Sequence, residues 1–187
     1  MTITSTIKRP FFRLFAYLLV ASTAACSTAN ENQRMNQASF TLWQTIEQLA
    51  QQGPLTKATI ERTLGSTLQL DKQDEHRTRW IGGEVVLQGN VRIAQTGFTV
   101  LNKEHAARQS TIGLFLAGAC IGRHDIEAQY GELLLVSAPR GRSPHETSVW
   151  ESARPWGQLR FAFKQNNPEC LHSVSIIPSV QSTPGES

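Results

Sequence analysis

An internal echo constrains this chain more than any other feature of its sequence. Leu55–Gly65 (LTKATIERTLG) aligns without gaps on Ile121–Gly131 (IGRHDIEAQYG), and the offset between the two isoleucines, 126 − 60, is 66 residues. Ile60/Ile126, Glu61/Glu127 and Gly65/Gly131 are identical, while Leu55/Ile121, Lys57/Arg123 and Leu64/Tyr130 are similar. Each copy reads as a short helix. Thr56 can cap the first, and a glycine that can adopt the left-handed conformation closes each. Each copy precedes a run of about four β-rich segments, which predicts a duplicated unit. The expected fold is therefore α+β, two tandem units of a short helix packed on a four-stranded antiparallel sheet.

The local patterns fill in this scheme. Leu42, Trp43, Ile46 and Leu49 share a helical face within Phe40–Gln51, and Gly53-Pro54 stops that helix. Strands are expected at Thr67–Leu70, Arg77–Ile81, Glu84–Gln88 and Gly97–Leu101, with Gly82-Gly83 and Gly89-Asn90 as hairpin dipeptides. Thr111–Leu116 is an apolar strand through the middle, and Gly122–Tyr130 is a helix. The second set of strands is Glu132–Ser137, Thr147–Glu151, Gly157–Lys164 and Cys170–Ile177. Leu159, Phe161 and Phe163 alternate with Arg160, Ala162 and Lys164, giving one buried and one wet face.

The N-terminus has a second, independent logic. Lys8, Arg9 and Arg13 precede and punctuate an apolar run, Phe11–Ala21, and small residues then lead to Cys26. That order reads as a secretory signal peptide, and the apolar run is too short for a permanent bilayer span. Thr23-Ala24-Ala25-Cys26 resembles the lipobox of bacterial lipoproteins at three of four positions, with Thr23 departing. The resemblance implies lipidation of Cys26, and Ser27 after it implies outer-membrane sorting at the periplasmic face. The other route is ordinary cleavage after Ala29, giving a soluble periplasmic chain. The expected divisions are a leader over 1–25, a flexible tether over 26–38, units over 39–101 and 102–178, and a disordered tail over 179–187.

Lipidation of Cys26 would leave Cys120 and Cys170 as an even pair, which an oxidising compartment joins as a disulfide. Of 18 Lys+Arg and 15 Asp+Glu, the leader removes three basic and no acidic residues, leaving 15 against 15. The basic balance thus belongs to the leader and gives no argument for nucleic acid as a partner. About 160 mature residues suffice for a sizeable core.

The duplicated phrase, a basic residue followed by Ile-Glu and an apolar-Gly ending, then a meander, resembles the small domains of the β-lactamase-inhibitory protein and of the outer-membrane assembly lipoprotein BamE. The resemblance covers about 125 residues. It implies a helix ending in glycine on a four-stranded sheet, in two copies whose sheets line one face.

Chemistry-bearing patterns are sparse. His76, His105, His124, His145 and His172 share no metal-ligand spacing, and no G-x-S-x-G occurs. His124-Asp125 fits a first helical turn, where the dipole favours Asp. Glu84, Glu146 and Glu151 are conceivable acid–base groups, with surface charge as the default reading; Cys170 could be a nucleophile only if unpaired. No catalytic residue, metal or cofactor is assigned. The segment Pro139–Trp156 is the most unusual, with Arg140, Arg142, His145, Trp150, Arg154 and Trp156 concentrated in it. Arg and Trp dominate binding hot spots, so these residues are the candidate partner-binding set, with Arg77 and Arg79 as a companion patch. The expected function is non-catalytic: a periplasmic protein-binding module, an inhibitor or immunity protein against a toxin enzyme that attacks the envelope. An accessory role in outer-membrane assembly, and a peptidoglycan hydrolase or carbohydrate binder, are the alternatives.

Overall fold

The computed structural model describes residues 40–52, 55–102 and 110–179. The leader, Cys26 and the tether lie outside these residues, as do residues 103–109 and residues 180–187 of the tail. No described helix is long and apolar enough to cross a membrane.

Three helices form where caps and apolar spacing agree. In α1 (Leu42–Gln51), the Thr41 hydroxyl accepts from the Gln44 N–H at 3.3 Å, and the Gln44 side chain accepts from the Thr41 N–H at 2.9 Å. This reciprocal cap satisfies two amides that a helix start otherwise orphans. In α2 (Lys57–Leu64), Thr56 and Thr59 play the same parts, and Gly65 ends the helix at φ 57°. In α3 (Arg123–Tyr130), Gly122 has no side chain to offer, and only its N–H is capped, by the Asp125 carboxylate at 2.8 Å.

The duplicated segments occupy matching places. Ile60 and Ile126 are both fully buried, and Leu64 and Tyr130 follow them into the core. Lys57–Glu61 and Arg123–Glu127 form the same i,i+4 ion pair, at 2.6 and 3.3 Å. Glu61 also accepts from the Leu68 N–H at 2.8 Å, so α2 is tied to the strand it leads into. Its carboxyl is held below the ordinary 4.5, first by Lys57 and then by that amide.

The strands are β1 (Leu68–Gln73), β2 (Arg77–Gly82), β3 (Val85–Val86), β4 (Val91–Leu101), β5 (Ser110–Gly118), β6 (Leu134–Ser137), β7 (Thr147–Arg154), β8 (Gly157–Lys164) and β9 (Asn167–Pro178). They form one sheet in the order β1-β2-β4-β5-β9-β8-β7-β6, with β3 also on β4, and every pairing is antiparallel. The coarse expectation, α+β with antiparallel strands, holds. The expectation of two four-stranded units does not, because one sheet of nine strands runs through the molecule. The reason lies at β5 and β9, where Ile112, Gly113, Leu114 and Phe115 pair with Ile176, Ser175, Val174 and Ser173. Kept apart, those strands would each expose a row of unpaired backbone groups beside apolar side chains.

Two glycine pairs behave differently. Gly89 and Asn90, at φ 74° and 59°, supply the left-handed reversal between β3 and β4. Gly82-Gly83 makes no hairpin; it bends the chain so that β2 and then β3 run along the same side of β4. A Cβ at Gly82 would lie 2.7 Å from Leu68 Cδ2, so a larger residue there would have to displace the buried Leu68 side chain.

Burial is one-sided. Val91, Ile93, Thr96 and Phe98 on β4, Ile112 and Leu114 on β5, Val174 and Ile176 on β9, and Leu159, Phe161 and Phe163 on β8 are buried. They form one core with Leu42, Ile46 and Leu49 of α1, Ile60 of α2, and Ile126 of α3. The alternate positions point the other way, and no described helix covers them. Tyr130 meets Trp43 edge-on at 5.7 Å and Phe161 at 5.6 Å, joining α1, α3 and β8. At the end of the sheet, Cys120 and Cys170 form a disulfide with Cα atoms 4.9 Å apart. It ties the lead-in to α3 to β9 across 50 residues. Replacing both cysteines by serine is expected to lower unfolding stability by about 4 kcal/mol in the chain-entropy account, read as a drop in denaturation midpoint, with an m-value that stays or rises because the unlinked unfolded chain is more expanded.

Candidate functional site

The candidate binding residues separate into three groups. Arg140, Arg142 and His145 lie on the loop between β6 and β7, whose shape is set by Glu146. Its carboxylate accepts from the backbone N–H groups of Arg140, Gly141 and Arg142, the latter two at 3.0 and 3.3 Å. The loop is also latched to the β8–β9 turn, where Gln165 N–H donates to Glu146 O at 2.8 Å and Asn166 N–H to Pro144 O at 3.1 Å. Glu146 is thus a structural anchor.

Trp150, Arg154 and Trp156 belong to the covered face. Trp150 stands opposite Phe161 in the sheet, and the Arg123 guanidinium lies 4.6 Å from its ring centre. Trp156 also packs against the core. The Arg154 guanidinium lies 5.4 Å from the centre of the Tyr130 ring, and its Nε has no hydrogen-bond partner. Burial, followed by the charge of Glu47, pushes the Tyr130 hydroxyl upward from its ordinary 10.0.

Arg77 and Arg79 point to the open face from β2, paired with Asp74 at 3.8 Å and Asp71 at 3.4 Å. Five strand spacings separate β2 from β7, about 24 Å at the usual interstrand distance. The structure therefore does not gather the Arg/Trp set into one patch. Glu84, another acid–base candidate, pairs with Arg92 at 2.7 Å. Among the described residues, no group of three or more His, Cys, Asp or Glu could hold a metal ion.

What the fold does gather is the open face. A register row crosses it from Ile81 through Gly97, Gly113, Ser175 and Arg160 to Glu151 and Leu134. Its centre is made of small residues, with Thr99, Thr111, Ser173 and Ala162 beside it. Gly97 and Gly113 stand directly opposite each other, and the Phe115 ring lies across both, within 3.8 Å of where their Cβ atoms would be. Arg160 is held by Glu151 at 2.8 Å and by Gln158 at 3.2 Å. The alternation in Leu159–Lys164 already placed Arg160 and Lys164 on a wet face. The breadth of that face depends on the β5–β9 pairing, for which no local signal exists.

His172 is another residue that no motif singled out. On β8, Ala162 and Phe163 are consecutive, yet they face Ser173 and Leu171, so His172 is the extra residue of a bulge. The bulge aims its ring toward Phe115, with centroids 5.8 Å apart. Burial, and then the positive charge of Lys164, hold the imidazole below its ordinary 6.5.

Comparison with protein-family models, curated proteins and solved structures found no match for this chain.

Two measurements check these assignments. Glu146→Ala is expected to speed amide hydrogen exchange at Gly141 and Arg142 by tenfold or more, since three charge-assisted bonds are lost; exchange in β8 should be unchanged. For His172, a folded pKa below the unfolded 6.5 means its contribution is present above that value and lost as pH falls through the folded pKa. The melting temperature should therefore fall as pH is lowered through the ordinary 6.5 of the unfolded imidazole toward its lower folded value, and by less in His172→Gln.

Proposed function

We propose that this chain is a non-catalytic protein-binding module of the bacterial cell envelope. In this reading it is an inhibitor or immunity protein that meets an envelope-attacking enzyme through the open face of its sheet. The observation that carries the reading is the one-sided burial: the described helices share one core with a single face of the nine-stranded sheet. The opposite face is broad, lined by small residues at its centre and flanked by Arg79 and Arg160. A surface of this kind is preorganised, so docking costs little chain entropy. Small central side chains leave room for a partner's larger ones, while arginines at the flanks supply bidentate hydrogen bonds.

The finer architecture belongs to the same proposal. The order β1-β2-β4-β5 and the order β6-β7-β8-β9 are two meanders meeting at β5·β9. The buried isoleucines, closing glycines and i,i+4 ion pairs of α2 and α3 support a tandem duplication of the kind seen in the β-lactamase-inhibitory protein. The Cys120–Cys170 disulfide suits an oxidising compartment. Lipid attachment at Cys26 would hold the module on the periplasmic face of the outer membrane, where a toxin acting on the envelope arrives. The tether over 26–38 would give it reach.

The test is competition. A strain lacking the protein should suffer only beside a toxin-delivering rival, and the wild-type gene should restore survival. Ser175→Arg, which fills the centre of the open face, should abolish that rescue, whereas Gln129→Arg on the exposed side of α3 should not. Detergent sensitivity of the deletion strain without any rival would favour the assembly role. Release of fragments from sacculi by purified protein would reverse the non-catalytic reading.

A further inference from the structure

The β5–β9 ladder stops at Phe115↔Ser173. Beyond that pair the strands part. β5 continues with β4 as far as Gly118↔Val91, and β9 stays with β8 as far as Asn167↔Lys164. The Cys120–Cys170 disulfide bridges the gap farther on. Between the diverging strands lies a cleft of about 410 Å³, with Ala117 and Gly118 on one wall and Lys164, Asn166, Asn167 and His172 on the other.

Its chemistry is one-signed. Among the described residues no Asp or Glu lines the cleft. Elsewhere on the sheet Lys72, Arg77, Arg79, Arg92 and Arg160 each have a carboxylate partner within 4.0 Å. Lys164 has no such ion pair among the described residues. His172 lines the same cleft, and its imidazole is held below its ordinary pKa first by burial and then by the positive charge of Lys164. The two asparagines add neutral hydrogen-bonding groups. The wall opposite Lys164 is made of small residues at Ala117 and Gly118, which leaves room for an entering side chain. A half-buried cation with amide groups beside it and no ion pair among the described residues is complementary to a carboxylate.

We propose that this cleft is a carboxylate socket, which receives an acidic side chain or a chain-terminal carboxylate of the bound protein, with Lys164 as its counter-ion. The socket rests on the reading of the open face as the docking surface, and it specifies one chemical feature the partner must present there.

The experiment is an NMR titration of the whole mature chain with three small probes. N-acetylglutamic acid α-amide carries only a side-chain carboxylate, N-acetylglycine only a terminal one, and N-acetylglutamine amide is the neutral isostere. One or both acids should shift the amides of Ala117, Gly118, Asn166 and Asn167 saturably and raise the His172 titration midpoint; the neutral probe should do neither. Which acid binds more tightly distinguishes the two carboxylate sources. Lys164→Met keeps the aliphatic stem and should weaken acid binding about tenfold or more, the equivalent of one charge-assisted hydrogen bond. Equal responses to acid and neutral probes, or equal acid affinity in Lys164→Met, would overturn the socket. If the acids bind as described while Ser175→Arg still rescues cells, the docking reading fails and the socket stands. The reverse pattern removes the socket and leaves the docking face.

Discussion

Four register pairs between β5 and β9 make one sheet out of two meanders, and most of the molecule's organisation follows from them. Among the described residues they are the only sheet pairing that links the β1–β5 half of the chain to the β6–β9 half. The pairing puts Ile112 beside Ile176 and Leu114 beside Val174, all fully buried, so the middle of the sheet is also the middle of the core. Both α1 and α3 pack toward β9 from that side. The disulfide reinforces the junction at its open end, where the ladder has already ended and backbone hydrogen bonds can no longer help.

One-sided burial has a consequence on the opposite face. A strand that buries alternate residues must present the others outward, and a sheet this wide presents many of them together. The outward residues at the centre are glycine, serine, threonine and alanine. Phe115 is larger, lying over Gly97 and Gly113, where the absence of two Cβ atoms makes room for it. Charges at the flanks are mostly paired within the molecule, which keeps the face soluble without leaving it strongly charged. Lys164 breaks that pattern next to the place where the sheet splits.

Much of the local structure was legible in the sequence. The helix Lys57–Leu64 and the strand Gly157–Lys164 have the expected bounds, because a threonine cap, a closing glycine and a strict apolar alternation each act over a few residues. The 66-residue echo placed α3 from α2. Long-range pairing was not legible, since nothing near Ile112 or Ile176 says that those strands meet, and so two separate units were expected where one sheet exists. Gly82-Gly83 looked like a reversal and is a bend, because the deciding contact is with Leu68, fourteen residues earlier. The placement of the Arg/Trp-rich segment was not legible for a similar reason. Its composition suggested one surface, but strand alternation turns Trp150 and Arg154 toward the helices and leaves Arg140 and Arg142 on a loop shaped by Glu146. His172 gave no signal at all, because a bulge shows only in the register of two strands.

The claim on which the account turns is that the face left bare by the helices is the face that binds. Side-chain oxidative footprinting of the chain, alone and in complex with a protein partner captured from the cell envelope, tests this directly. The account predicts protection of Phe115, Ile177 and His172, with His124 on α3 oxidised equally in both states. Protection confined to the helices or to the loop around His145, with Phe115 and Ile177 unchanged, would contradict it.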